Sequence, residues 1–145
     1  MILTDHWFDA LAENDEGQMI TVHGRDGIEN FIESGKYPER VEISWKYEPD
    51  KSGMPSEDVA RSMERFELAL RPAMEKKDKL AILTGVYTGG GEKTWVFYTR
   101  TVRVFGERIN TALQDMELFP ISIYTEKDPE WAEYHEMRTA KNSEI

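Results

Sequence analysis

Val41-Glu42-Ile43-Ser44-Trp45-Lys46-Tyr47-Glu48 alternates apolar and polar residues over eight consecutive positions. Side chains of an extended chain point to opposite faces in turn, so this run specifies a strand with one dry and one wet face. As a helix, the same residues would scatter their apolar groups around the axis. A half-buried strand needs neighbours in a sheet and a layer against its dry face, which commits the chain to a sheet-containing core.

The residues that follow supply those partners. Glu48-Pro49-Asp50-Lys51-Ser52-Gly53 reads as a loop, and Ser56 with Glu57 and Asp58 reads as an N-cap with acids in the first turn. Val59, Met63, Phe66, Leu70 and Ala73 then recur at helical spacing, and Pro72 is expected to kink or end that helix. Leu80–Tyr87 and Thr94–Thr99 read as strands joined by Gly89-Gly90-Gly91 in a hairpin. Val102, Phe105, Ile109, Ala112 and Met116 form a second helical stripe, which Pro120 closes before a short strand through Ile121, Ile123 and Thr125. The order from Arg40 to Thr125 is β-α-β-β-α-β, which predicts an α+β ferredoxin-like plait: an antiparallel sheet with two helices on one face.

Ahead of the plait, Trp7, Phe8 and Leu11 share a helical face within Leu3–Leu11, and Asn14-Asp15-Glu16-Gly17 stops that segment. Met19–His23 predicts a strand, and Ile28, Phe31 and Ile32 a short helix closed by Ser34-Gly35 and Pro38. After the plait, Asp128-Pro129 opens a last helix through Trp131 and Tyr134, with a frayed tail beyond Thr139. The expectation is a single domain over 1–145: the plait over about 40–125, an N-terminal βα extension over about 1–39 and a C-terminal helix over about 126–139.

Composition narrows the chemistry. At 39% hydrophobic residues the chain has enough apolar material for one core. Acids outnumber Lys and Arg 28 to 18, a net charge of −10 that repels nucleic-acid backbones and anionic membrane surfaces. The absence of Cys removes disulfides, thiolate nucleophiles and thiolate-held metals. Neither a membrane-length apolar run nor a signal-peptide pattern is visible, so the expected setting is cytoplasmic.

Each candidate for chemistry has a plainer reading. The triple glycine lies between two strands, whereas phosphate-cradling loops run from a strand into a helix. His6, His23 and His135 lack metal-ligand spacing, so no metal or cofactor is expected. The serines lack a nucleophile elbow. Asp50, Glu57 and Asp58 sit in a solvated loop and first turn, where capping explains them. The rings of Trp45, Trp95 and Phe97 suit core packing better than base stacking, since no basic aromatic signature accompanies them.

Ser34-Gly35-Lys36-Tyr37-Pro38 leading into Val41-Glu42-Ile43-Ser44-Trp45, Gly53-Met54-Pro55, Gly85-Val86-Tyr87-Thr88-Gly89-Gly90, Trp95-Val96-Phe97-Tyr98-Thr99 and Asp128-Pro129-Glu130-Trp131 stand in one order along the chain. In combination they resemble the bacterial domain of unknown function 695 family, from about Trp7 to Tyr134. The resemblance implies no reaction and no catalytic residue. That family is in turn similar, in fold and in domain fusions, to the regulator of ribonuclease activity B group, small acidic plait proteins that inhibit an RNase by binding it. The resemblance therefore implies a binding role.

Charge and resemblance together lead to the expectation of a non-enzymatic acidic binding protein, an inhibitor or immunity protein for a basic partner such as a nuclease or toxin. Its contact acids are expected among Glu48, Asp50, Glu57, Asp58, Glu126, Asp128, Glu130 and Glu133, with the loop after the first plait strand and the segment after the last sharing an edge. The alternative is an enzyme with a small-molecule pocket between plait and N-terminal extension, drawing on Glu48, Asp50, Tyr98 and His23. A third class, an RNA-binding plait, requires Lys46, Arg100 and Arg103 to gather beside exposed rings.

Overall fold

The computed structural model describes residues 1–145. Six strands, β1 (His6–Glu13), β2 (Met19–Asp26), β3 (Glu39–Lys46), β4 (Ala81–Gly89), β5 (Glu92–Thr99) and β6 (Ile121–Lys127), form one antiparallel sheet in the order β1-β2-β4-β5-β3-β6. Four helices accompany it: α1 (Glu29–Glu33), α2 (Glu57–Glu75), α3 (Val102–Leu113) and α4 (Ala132–Arg138). The α+β class is as expected. No helix is long and apolar enough to cross a membrane.

The alternation of β3 works as its sequence dictates. Val41, Ile43 and Trp45 are buried beneath α2 and α3 with Trp95 and Phe97 of β5. Met63, Phe66, Leu70 and Met74 line the inner side of α2, and Phe105 and Ile109 that of α3. Ser56 caps α2 by accepting the Val59 amide at 3.3 Å. Pro72 neither breaks nor ends α2, which runs on to Glu75 with the Lys76 amide still bonded to the Pro72 carbonyl at 3.0 Å. The carbonyl its ring frees belongs to Leu68, which is exposed, so solvent serves it.

The opposite face of the sheet carries a second core. Phe8 and Ala10 of β1, Val22 of β2, Ile82 of β4 and Val96 and Tyr98 of β5 pack there against Ile28, Phe31, Trp131, Tyr134 and Met137. The middle of the sheet is thus dry on both sides, and β4 and β5 read as continuous buried runs. Gly24 and Gly85 face each other across β2 and β4 and make room for Met137 of α4. A Cβ on Gly24 would lie 2.4 Å from the Phe8 ring and 2.6 Å from the Met137 sulfur.

Two expectations are corrected at the termini. The N-terminal segment is a strand, so the extension is ββα instead of βα. Its eight residues pair with β2 from His6 opposite Asp26 to Glu13 opposite Met19. Phe8 and Ala10 enter the core while Trp7 stacks on His23 across the other face, at 4.5 Å between ring centres. Both faces carry apolar groups, which mimics helical spacing in the sequence, and long-range pairing overrides that local signal. The tail is also ordered. It forms a short 3-10 turn over Thr139–Ser143 and then lies along β1, where the Ile145 amide donates to the Asp9 carbonyl at 2.9 Å.

Phe66 is fully buried against Trp45, Trp95 and Phe119, so Phe66→Ala is expected to destabilise by about 3–5 kcal/mol in urea unfolding. A loss below about 1 kcal/mol would show that this face of α2 is not core. In the hairpin the glycines are not equivalent. A Cβ on Gly89 would lie 2.5 Å from the Met19 carbonyl oxygen, whereas on Gly90 it meets the movable end of Gln18. Gly89→Ala is therefore expected to destabilise by about 1–3 kcal/mol more than Gly90→Ala, and equal losses would contradict the packing of β4 on β2.

Candidate functional site

The start of α4 gathers most of the chain's buried polar chemistry. Asp128 accepts the Ala132 and Glu133 amides at 2.8 and 3.2 Å and so caps the helix from four residues upstream. Its carboxylate also takes the Tyr98 hydroxyl at 2.7 Å and the Arg40 guanidinium at 2.7 Å. Arg40 is further paired with Glu42 and Glu126. Burial alone would raise the Asp128 carboxyl, but the Tyr98 hydroxyl, the two amides and Arg40 outweigh it and hold the group below its usual range. Trp131, in a left-handed backbone conformation, stacks on Tyr98 at 4.1 Å and donates its indole N–H to the Tyr37 carbonyl at 2.9 Å.

Glu133 faces the sheet beside this cluster. It accepts the Tyr87 hydroxyl and lies 3.4 Å from that of Tyr98. Burial raises its carboxyl, with nearby Glu42 adding to the rise. Burial likewise raises the Tyr87 and Tyr98 hydroxyls, so both keep their protons. This network fixes α4 to the sheet, and its polar groups already have partners.

The acids singled out in the sequence therefore divide. Asp128 is buried, Glu133 is half-buried, Glu126 is exposed but paired with Arg40, and Glu130 is exposed. Glu48, Asp50, Glu57 and Asp58 are all exposed, with Asp50 ordering its own loop through the Ser52 and Met54 amides and Asp58 paired with Arg61. The two groups do not share an edge. The β3–β6 register sets Glu39 opposite Lys127 and Trp45 opposite Ile121, so the loop after β3 and the segment after β6 leave the sheet at opposite ends, roughly 20 Å apart at about 3.3 Å per residue.

The other candidates separate as well. His23 faces the side opposite to Tyr98, with its Nδ1 2.8 Å from Asp9 and its ring on Trp7. Glu48 and Asp50 stand at a sheet end, so the four residues of the enzyme reading do not converge. Lys46 lies opposite Glu92 while Arg100 follows Thr99 at the far end of the same strand pair, and the three cations of the RNA reading share no platform. No three His, Asp or Glu side chains form a metal-holding group.

Topology instead assembles a group that the linear sequence conceals. One end of the sheet collects the β1–β2 turn, the Gly89–Gly91 hairpin, the loop after β3 and the start of α2. Glu13, Asp15, Glu16, Glu48, Asp50, Glu57, Asp58 and Glu92 stand there against Lys46, Lys51, Arg61 and Lys93. Of these acids, Glu13, Asp15, Glu16, Glu48, Glu57 and Glu92 have no cation within ion-pair distance. Between the turn and the hairpin runs a groove of about 630 Å³, walled by Glu13, Glu16, Gln18, Lys46, Tyr87 and Glu92. The Gly53 backbone packs on Gly90 and the Tyr47 hydroxyl donates to the Gly53 carbonyl at 2.6 Å, which fixes the acidic loop to the hairpin.

Residues 5–137 match the model of a family of unknown function, DUF695. The chain belongs to that family. No curated protein and no solved structure matches it. Within this DUF695 chain the matched span reaches from the first residues of the ββα extension to the buried Met137 of α4, so it includes both cores and the acidic end.

The two carboxyls at α4 have opposite pH signatures. Glu133 is raised above its ordinary 4.5, so its contribution is full below that pH and is lost as pH rises through the raised value. Asp128 is depressed below its ordinary 3.8, so its contribution is full above that pH and is lost as pH falls through the lowered value. Glu133→Gln is expected to remove the decline on the alkaline side of the stability–pH curve and Asp128→Asn that on the acid side. Curves parallel to the parent's in urea unfolding from about pH 3 to 8 would contradict both.

Proposed function

We propose that this chain is a non-enzymatic acidic binding protein on a ferredoxin-like plait, an inhibitor or immunity protein that covers a basic surface of another protein such as a nuclease or toxin. The plait reading is supported by the pairing of β3 to β6. β5 lies between β3 and β4, and β3 lies between β5 and β6, so each β-α-β unit straddles one strand, with α2 and α3 on one face. The observation that carries the binding reading is the set of acids without cations at the hairpin end. Tyr98, Asp128, Arg40 and Arg25, the groups with the most perturbed surroundings, hold the helices and strands to one another.

The distribution of charge adds to this. Lys36, Lys76, Lys77, Lys79 and Arg100 stand at the other end of the sheet, around the end of α2 and the start of β3, so the chain is polarised along its strands. Such a dipole turns the acidic end toward a basic surface during encounter. The enzyme alternative draws support from one feature, Tyr87, which lines the groove and donates to Glu133. A hydroxyl raised by burial and by that carboxylate is a poor base or nucleophile, which favours the binder.

The test uses the partner captured from the native host. Raising salt from about 50 to 500 mM shrinks the Debye length from about 14 to 4 Å, and the association rate is expected to fall steeply. Glu13→Gln, Glu16→Gln and Glu92→Gln are each expected to weaken binding by about 1 kcal/mol or less and to slow association cumulatively when combined. Glu130→Gln, at the opposite end, serves as the control. A salt-independent rate, or equal slowing by the control, would remove the electrostatic model.

A further inference from the structure

The two edges of the sheet are treated differently by the chain itself. The β1 edge is covered by the tail, which bridges Ala10 with Glu144 and bonds Asp9 through Ile145. The β6 edge is bare along its length, and six of its seven residues are exposed. An uncovered edge presents a row of unpaired N–H and C=O groups, and proteins usually blunt such rows.

The backbone direction of β6 follows from its last bond. The Asp128 amide donates inward to the Pro38 carbonyl at 2.8 Å, and strand alternation then turns Ser122, Tyr124 and Glu126 inward as well. Ile123, Thr125 and Lys127 are left with their backbone groups pointing outward. Beside this edge, on the face of α2 and α3, runs an apolar groove of about 340 Å³ lined by Leu113, Met116, Leu118, Phe119, Ile121 and Ile123. Leu118 is fully exposed at 100%, and Ile123 and Tyr124 at 47% and 55%. An apolar strip along a free strand edge is the composition of an interface core.

We propose that β6 pairs with β6 of a second copy of this chain, across a two-fold axis normal to the sheet, to make a closed dimer with a continuous twelve-stranded sheet. Three observations select a second copy as occupant. First, the strip is locally neutral on an acidic body. Glu126 and Asp128 are paired with Arg40, and Glu117 with Arg65, so two such strips meet without the repulsion of the acidic ends. A basic partner is drawn instead to the hairpin end.

Second, the edge is self-complementary. With the axis at Tyr124, Ile123 of each copy stands opposite Thr125 of the other, Ile121 opposite Lys127 and Ser122 opposite Glu126, so no like charges face each other. The axis keeps both apolar grooves on one side of the joined sheet, where they adjoin. A standard dimer hides about 800 Å² per copy, which calls for the groove side chains as well as the edge. Third, the tail on β1 leaves a single free edge per copy, so pairing stops at two and no fibre grows.

The test is the mass of the full chain by light scattering and sedimentation from about 1 to 100 μM. The expected species is twice the 16.9 kDa of one copy, with salt having little effect. Leu118→Glu alters a side chain that touches nothing inside the fold, and Thr125→Pro removes an N–H that points away from β3. Each is expected to weaken the dimer by about 100-fold or more while the circular dichroism of the monomer is kept. A wild type that stays at 16.9 kDa throughout would overturn the proposal, as would a dimer that both variants leave intact. A monomer that occupies β6 only when a different protein is added would assign the edge to a foreign strand and overturn it equally.

Discussion

Strand β5 is buried on both faces, and the rest of the molecule follows from that. Trp95 and Phe97 enter the layer under α2 and α3, while Val96 and Tyr98 enter the layer under α4. A strand with no wet side requires two covering layers, so the plait alone would leave Tyr98 and Val96 in water. Trp131 lies flat on the Tyr98 ring, and the Tyr98 hydroxyl binds the carboxylate that caps α4. One tyrosine thus joins the sheet, the helix cap and, through Asp128, the Arg40 ion pairs of the neighbouring strand.

This arrangement decides which charges are free to meet a partner. Arg25 is almost fully buried and spends its donors on the Thr4 and Leu83 carbonyls and on Glu75, an arrangement that holds β2, β4 and α2 together. Arg40, Asp128 and Glu133 are likewise committed to the packing of α4. Removing one member of such a set would leave a buried charge unpaired, which is why these groups read as structural. The acids at the hairpin end have no such duties, and most of them have no cation nearby. The electrostatic surface of the molecule is therefore set by the turns and loops that the sheet brings to one end.

The plait segment was legible in the sequence because its signals are local. The period of Val41–Tyr47, the cap at Ser56 and the hairpin glycines each act within a few residues, and each appears in the structure where it was expected. The strand at His6–Glu13 was not legible, since Trp7 and Leu11 serve one face and Phe8 and Ala10 the other. The acids were misgrouped for a related reason. Glu126–Glu133 follows the last strand and looks equivalent to the loop after β3, but antiparallel pairing puts the two at opposite ends. Glu13, Asp15, Glu16 and Glu92 reach the hairpin end through the register of four strands, which no short window of sequence contains.

The most direct measurement of the central claim is a hydrogen-exchange footprint of the chain with and without its captured partner. Occupation of the acidic end predicts slowed exchange at Asn14–Gln18, at Glu48–Ser56 and at Gly89–Glu92, three segments distant in sequence and adjacent in the fold. Slowed exchange confined to Lys76–Lys79 and Arg100, or to α4, with the hairpin end unchanged, would contradict it.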